Sequence, residues 1–296
     1  MEYVPAKTIV TKTKGSDWFG IDYNMNIYRG CCHGCIYCDS RSDCYRIDHF
    51  DTVRVKEDAL RIVRDDLRRK VKKGVVGTGA MSDPYNPFEK EFQLTRHALE
   101  LIDAYGFGAA VATKSTLLER DIDILSGIKE HSPVICKITV TTTDDSLAKK
   151  IEPHVSSPSS RLGLIEALRN KGIFAGILMM PILPLLEDNE ENILSIVKAA
   201  HETGANFIYP SFGVTLRNNQ REWYFDRLKE QFPEQDLAAE YIRRYGNSYG
   251  CTSPRAKSLW SLFSKECQRY GILYQMPDII HSYKKNYEVT QLSLFD

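Results

Sequence analysis

The chain has 296 residues, with 43% hydrophobic and 26% charged side chains and a formal net charge of zero. This is the composition of an ordinary globular protein of one large or two small domains, and it excludes a globally basic nucleic-acid binder. No apolar run reaches the length of a membrane span, and the N-terminus lacks an apolar signal core, so the expected location is the cytoplasm.

Along the chain, short apolar runs alternate with longer stretches of helical periodicity. A first strand is expected near Asn26–Arg29. GVVGTGAM (74–81), FGAAVATK (107–114), PVICKITVTTT (133–143), IFAGILMMPI (173–182) and ANFIYPSF (205–212) read as further strands. Helical segments fill the gaps, with Asp58 and Ser157 as expected N-caps and Gly74, Gly106, Gly172 and Gly204 placed for C-caps. Strand alternating with helix implies βαβ units and a parallel sheet. The expected fold is α/β, a partial or full (βα)6 barrel or an open doubly wound sheet over residues 21–212. Residues 1–20 precede it as an extension, a helical extension follows over 213–283, and a tail occupies 284–296.

The chemistry is concentrated in RGCCHGCIYCDSR, residues 29–41. Eight cysteines in a reducing compartment point to metal or redox chemistry rather than disulfides. Cys31, Cys35 and Cys38 form C-x3-C-x2-C directly after the first strand. Three thiolates on one glycine-containing loop can occupy three corners of an iron–sulfur cube and leave the fourth iron open for chemistry. A zinc site completed by Cys32 and Cys44 is the alternative; His33 reads as a hydrogen-bonding loop residue.

With Tyr37 before the last cysteine, this loop resembles the signature of radical S-adenosylmethionine (SAM) enzymes. GTGAMSDPYNPFE, ATKS, TVTTTD, IEPHVSSPSSRL and PILP follow in the order of the spore-photoproduct-lyase-like branch. The resemblance implies a partial radical SAM barrel that holds a [4Fe-4S] cluster on Cys31, Cys35 and Cys38. It implies reductive cleavage of SAM to a 5′-deoxyadenosyl radical, and an electron donor such as flavodoxin or ferredoxin. Ser82 and Asp83 would meet the SAM ammonium, Lys114, Ser115 and Arg161 its carboxylate side, Thr142 the ribose and Tyr37 the adenine. Each has a plainer reading: an Asx turn for Ser82–Asp83, a surface lysine for Lys114, strand packing for Thr142, a helix-surface charge for Arg161 and loop packing for Tyr37.

The expected substrate is a nucleic-acid base or DNA lesion; a peptide or small-molecule substrate, or a metal-containing nucleic-acid binder without turnover, are the alternatives. Photoproduct lyases return a hydrogen atom from a thiol outside the cluster. The segment where such a thiol is expected reads GAMSDPY, with Met81 and no cysteine, which leaves the loop thiols Cys251 and Cys44 as candidate donors. Cys136 and Cys267 read as buried apolar residues. The chain ends in QLSLFD, and residues 291–295 resemble the peptide with which bacterial repair and replication proteins bind the DNA sliding clamp.

Overall fold

A computed structural model describes residues 2–287. Its main sheet has seven strands in the order β10-β9-β8-β7-β6-β3-β2. These are β2 (Val10–Lys12), β3 (Tyr23–Met25), β6 (Val75–Gly77), β7 (Gly108–Thr113), β8 (Val134–Thr139), β9 (Phe174–Met179) and β10 (Ile208–Pro210). The six from β3 to β10 run parallel, each beside its neighbour in sequence, and β2 is an antiparallel edge on β3. This is a (βα)6 sheet that curls without closing into a ring.

Strand sequences buried on both faces read as continuous apolar runs, which is why period-two alternation is absent from them. Val76, Ala109, Val111, Cys136, Ile138, Ala175 and Ile177 face out onto the helices 59–69, 94–104, 122–129, 158–170 and 190–202. Val75, Ala110, Ile135 and Leu178 face in, where they meet Phe19, Phe207, Ile279 and Tyr283. Both ends of the described chain therefore plug the barrel: Phe19 from the N-terminal segment, and Ile279 and Tyr283 from the helix Met276–Lys284.

Three sequence expectations change. The first barrel strand is Tyr23–Met25, because Tyr28–Arg29 (β4) leaves the barrel to pair with β5 (Arg54–Lys56) and β1 (Glu2–Val4) in a separate small sheet. The region after 212 is not all helical: β11 (Gly213–Thr215) and β12 (Gly250–Thr252) form an antiparallel ribbon. The tail does not begin at 284, since Lys284 Nζ bonds the Gly20 carbonyl and Tyr287 Oη donates to Lys129 O at 2.6 Å. Ser157 caps its helix through Ser160 N, as its position predicts, while Asp58 adopts a left-handed conformation, makes no cap and pairs with Arg61 instead. The peptide at 291–295 lies outside the described residues. Among the described residues no helix is long and apolar enough to cross a membrane.

Candidate active site

A cavity of about 330 Å³ opens at the C-terminal ends of the barrel strands, the face where βα barrels carry their sites. Its wall takes Gly79–Asp83 after β6, Thr113 and Lys114 from the end of β7, and Thr139 from the end of β8. Leu178 comes from the end of β9, Met180 and Pro181 follow it, Ser211 follows β10, and Gly213–Thr215 come from the ribbon. Cys31, His33, Cys35, Tyr37 and Cys38 enter from the loop beyond β4.

The loop's path depends on close backbone contacts. Gly30 sits at φ +81°, and a β-carbon there would fall 2.4 Å from Thr52 O. Gly34, at φ +71°, would strike the His154 ring at 2.9 Å. Cys31 N donates to Phe50 O at 2.8 Å, Ile36 N to Ile151 O at 3.0 Å and His154 N to His33 O at 3.2 Å. The segment 151–154 thus straps the cysteine loop from behind. Opposite, Gly79 at φ +84° brings its chain so near β7 that a β-carbon would lie 2.2 Å from Ala112 O. Only glycine takes these positions without strain.

Among the described residues no three His, Cys, Asp or Glu side chains converge closely enough to hold a single metal ion. Cys31, Cys35 and Cys38 instead line one cavity at separate points, an arrangement suited to a multi-iron cluster in which each thiolate takes a different iron. The four-thiol zinc alternative is not assembled: Cys44 is exposed, with Ser42 Oγ at 3.0 Å and Arg217 Nη1 at 3.2 Å, and Cys32 packs on the barrel's outer core.

Charges around the loop favour thiolates unequally. Burial pushes the Cys31 thiol up, but the hydrogen bond and charge of His33 outweigh it and leave it lowered. Burial raises Cys35 and Cys38, against the pull of Lys114. Burial depresses the Lys114 ammonium, yet Cys35, Glu152, Asp83 and Cys38 raise it overall. That ammonium stands 5.7 Å from the Tyr37 ring centre.

Asp83 both makes the Asx turn and faces the cavity. Its Oδ1 accepts from Tyr85 N at 2.9 Å and Thr113 Oγ1 at 2.6 Å; its Oδ2 accepts from Lys114 N at 2.8 Å, with His33 Nδ1 at 3.6 Å. Ser82 Oγ donates to Tyr28 O at 3.1 Å. These bonds anchor both side chains at the wall while leaving lone pairs for a cation.

Ser115, Thr142 and Arg161 do not line the cavity. Ser115 Oγ caps the next turn by accepting from Leu117 N, and Thr142 Oγ1 accepts from Asp144 N at 3.1 Å. The expectation that β8 delivers Thr142 to the site fails because the strand ends at Thr139, which takes the cavity position instead. Arg161 is a buried residue rather than a helix-surface charge: its Nη2 donates to Glu152 Oε2 at 2.6 Å and its Nη1 to Thr139 O at 2.6 Å. Glu152 also accepts from Tyr37 Oη. Burial opposes the Glu152 charge, but Arg161, Lys114 and Tyr37 hold its carboxyl below the usual range. The loop tyrosine, a buried ion pair and the end of β8 are therefore one connected unit. Nothing in IEPH signals a buried acid, and sequence reasoning passed over Glu152, Thr113 and Thr139.

Cys251 is not a loop thiol. It lies in β12 opposite Val214, fully buried in the apolar cluster shared with Cys35 and Tyr37, and Val214 rather than Cys251 meets the cavity. Cys136 and Cys267 are buried apolar residues, as expected, each with its thiol pushed up to about 12 by burial.

Comparison with known proteins agrees with this geometry. The family model of the radical SAM superfamily matches residues 25–209. An uncharacterized protein of Mycobacterium tuberculosis is 31% identical over 252 residues, covering 82% of this chain and 72% of the relative. One of Methanocaldococcus jannaschii is 34% identical over 218 residues, covering 73% and 78%. In fold, the chain is similar to a spore photoproduct lyase variant with AdoMet and dinucleoside spore photoproduct bound (TM-score 0.64, 15% identity, 90% of this chain and 79% of the other). It is also similar to the methyltransferase TsrM of Kitasatospora setae with cobalamin and a [4Fe-4S] cluster (TM-score 0.58, 12% identity, 90% and 57%).

Proposed function

The chain belongs to the radical SAM superfamily, an enzyme family that uses a [4Fe-4S] cluster and SAM, and on that premise we propose that it acts on a nucleic-acid base or DNA lesion. The observation that carries this reading is the β11–β12 ribbon. Its residues Gly213–Thr215 line the cavity, and the chain just beyond sets Arg217, Arg221 and half-exposed Tyr249 around an adjoining pocket that Asp43 and Glu222 also line. Arg217 stacks 4.8 Å from the Tyr249 ring and is tied to the cavity residue Asp39 at 3.1 Å. Cations for phosphates beside a ring for stacking are what a single-stranded or flipped nucleotide requires. The fold shared with a photoproduct lyase supports the same reading.

The residues divide the work as follows. Cys31, Cys35 and Cys38 would hold the cluster. Ser82 and Asp83 would take the SAM ammonium, Lys114 its carboxylate, and Tyr37 and Thr139 would border the adenosyl group. When bound, cluster and SAM supply one-electron cleavage of the sulfonium carbon–sulfur bond and hence a hydrogen-abstracting adenosyl group. Leu178, Met180, Pro181 and Val214 form an apolar wall that keeps water from the reacting centre. Met81, not a thiol, faces the cavity, and its only thiols among the described residues are the three of the cluster loop. The cavity lining alone therefore favours modification of a base; a thiol donor for dimer repair would have to be the exposed Cys44, which lines the adjoining pocket.

Cluster-loaded, reduced protein should move deuterium from a base-labelled oligonucleotide into 5′-deoxyadenosine. If 5′-deoxyadenosine forms but carries no label from any DNA or RNA offered, the nucleic-acid reading is refuted, and a peptide or small molecule takes its place.

A further inference from the structure

The small sheet β1-β5-β4 sets like charges side by side. In its register Arg29 pairs directly across from Arg54, and Lys56 lies two residues further along β5 on the same face. Like charges directly opposite destabilise a sheet. No carboxylate among the described residues relieves them by an ion pair. Arg29 Nη2 donates to Arg46 O and Arg54 Nη2 to Asp48 O, both main-chain oxygens, and the Nε atoms of both arginines are buried without a partner. Burial and then the Arg29 charge lower the Lys56 ammonium, and no acid offsets them. Glu2, exposed and opposite Arg54 on β1, is the one acid in register. The nearby Asp51 is already held by Arg41 at 2.8 Å.

The patch lies at the root of the cluster loop. Arg29 is two residues before Cys31, Cys31 N bonds Phe50 O, and Gly30 lies against Phe50 and Thr52 on the approach to β5. None of Arg29, Arg54 or Lys56 lines the cavity. A turnover that cleaves SAM reductively needs one electron at the cluster while the cavity is filled by SAM and substrate, so the donor needs another approach.

We propose that the face bearing Arg29, Arg54 and Lys56 is the docking surface for an acidic one-electron-donor protein, which reduces the cluster from behind the cysteine loop. One electron leaves the donor's flavin or iron–sulfur centre and arrives on the cluster; no bond or proton moves in that step. Unpaired cations half-buried beside the loop supply the charge complementarity that speeds encounter. The inference rests on the radical SAM assignment and not on the nucleic-acid reading.

The test is stopped-flow bleaching of the reconstituted cluster by a reduced acidic flavodoxin and, separately, by dithionite. For wild type, the flavodoxin rate should fall steeply with added salt. In Arg54→Glu/Lys56→Glu it should fall about tenfold or more at low salt, with iron content and the dithionite rate unchanged. The gentler Arg54→Gln/Lys56→Gln should fall between, which guards against misfolding of the charge-reversed chain. Wild-type rates in both variants, a salt-independent wild-type rate, or equal slowing with dithionite would each overturn the proposal. Loss of oligonucleotide binding with unaltered flavodoxin rates would also overturn it and assign the patch to phosphates.

Discussion

Substituting Arg161 separates two accounts of the site. The resemblance places its guanidinium on the SAM carboxylate; the structure places it 2.6 Å from Glu152, both side chains 1% exposed, with Tyr37 on the other carboxylate oxygen. Breaking a buried pair from one side costs about 3–5 kcal/mol, because the remaining charge stays buried. In Glu152→Gln a lone guanidinium is left, so the full penalty applies. In Arg161→Met the carboxylate keeps Tyr37 and the nearby Lys114 charge, and the loss should be at the lower end. At roughly 2 °C per kcal/mol for a chain of this size, Glu152→Gln should melt about 6–10 °C below wild type. The double variant should recover part of that loss, giving a coupling of about 1–3 kcal/mol in the cycle. Circular dichroism melts under anoxia, run beside SAM equilibrium dialysis, read both quantities. A melting point within about 2 °C of wild type, combined with a tenfold or greater loss of SAM affinity in Arg161→Met, would show that the guanidinium binds SAM and that the ion-pair reasoning is wrong.

Lys137 offers a pH-dependent test. It faces inward on β8 between Ile135 and Thr139, is 2% exposed, and its Nζ lies 5.0 Å from the Phe19 ring. Burial pushes its amine from 10.5 down to about 7. The unfolded chain then binds more protons between those values, so stability rises with pH across that window, and below pH 7 the penalty is constant at roughly 5 kcal/mol or less. Lys137→Met should stabilise the protein at pH 7 and flatten the slope; parallel stability–pH curves would contradict this. Cys251→Ala should keep iron content and 5′-deoxyadenosine formation, because the thiol is buried beside Val214 and does not line the cavity; selective loss of substrate product with both retained would restore it as a hydrogen donor. The resemblance of residues 291–295 to a clamp-binding peptide predicts that immobilised sliding clamp captures the full chain and not one lacking 291–295; no capture, or equal capture of both, would contradict it.

The amino-acid order alone determined a parallel α/β sheet, because apolar runs separated by amphipathic helices and C-terminal glycines admit few other packings; it left barrel and open sheet both standing and set the first strand at 26–29, where the structure puts it at Tyr23–Met25. It also determined the cysteine loop, since C-x3-C-x2-C with Gly30 before it and Gly34 within it is local in sequence and its chemistry is carried by spacing. Only tertiary structure decided which distant polar groups reach the cavity. Thr142 and Arg161 read as site residues by position, yet β8 ends three residues before Thr142 and Arg161 turns to an acid nine residues upstream. Cys251 reads as a loop thiol until β12 pairs with β11 and buries it. The Arg29–Arg54 pairing joins residues 25 positions apart, with no local pattern to announce it. Strand ends, side-chain pairing and the closure of a cavity depend on contacts between segments remote in sequence, and local propensity does not encode them.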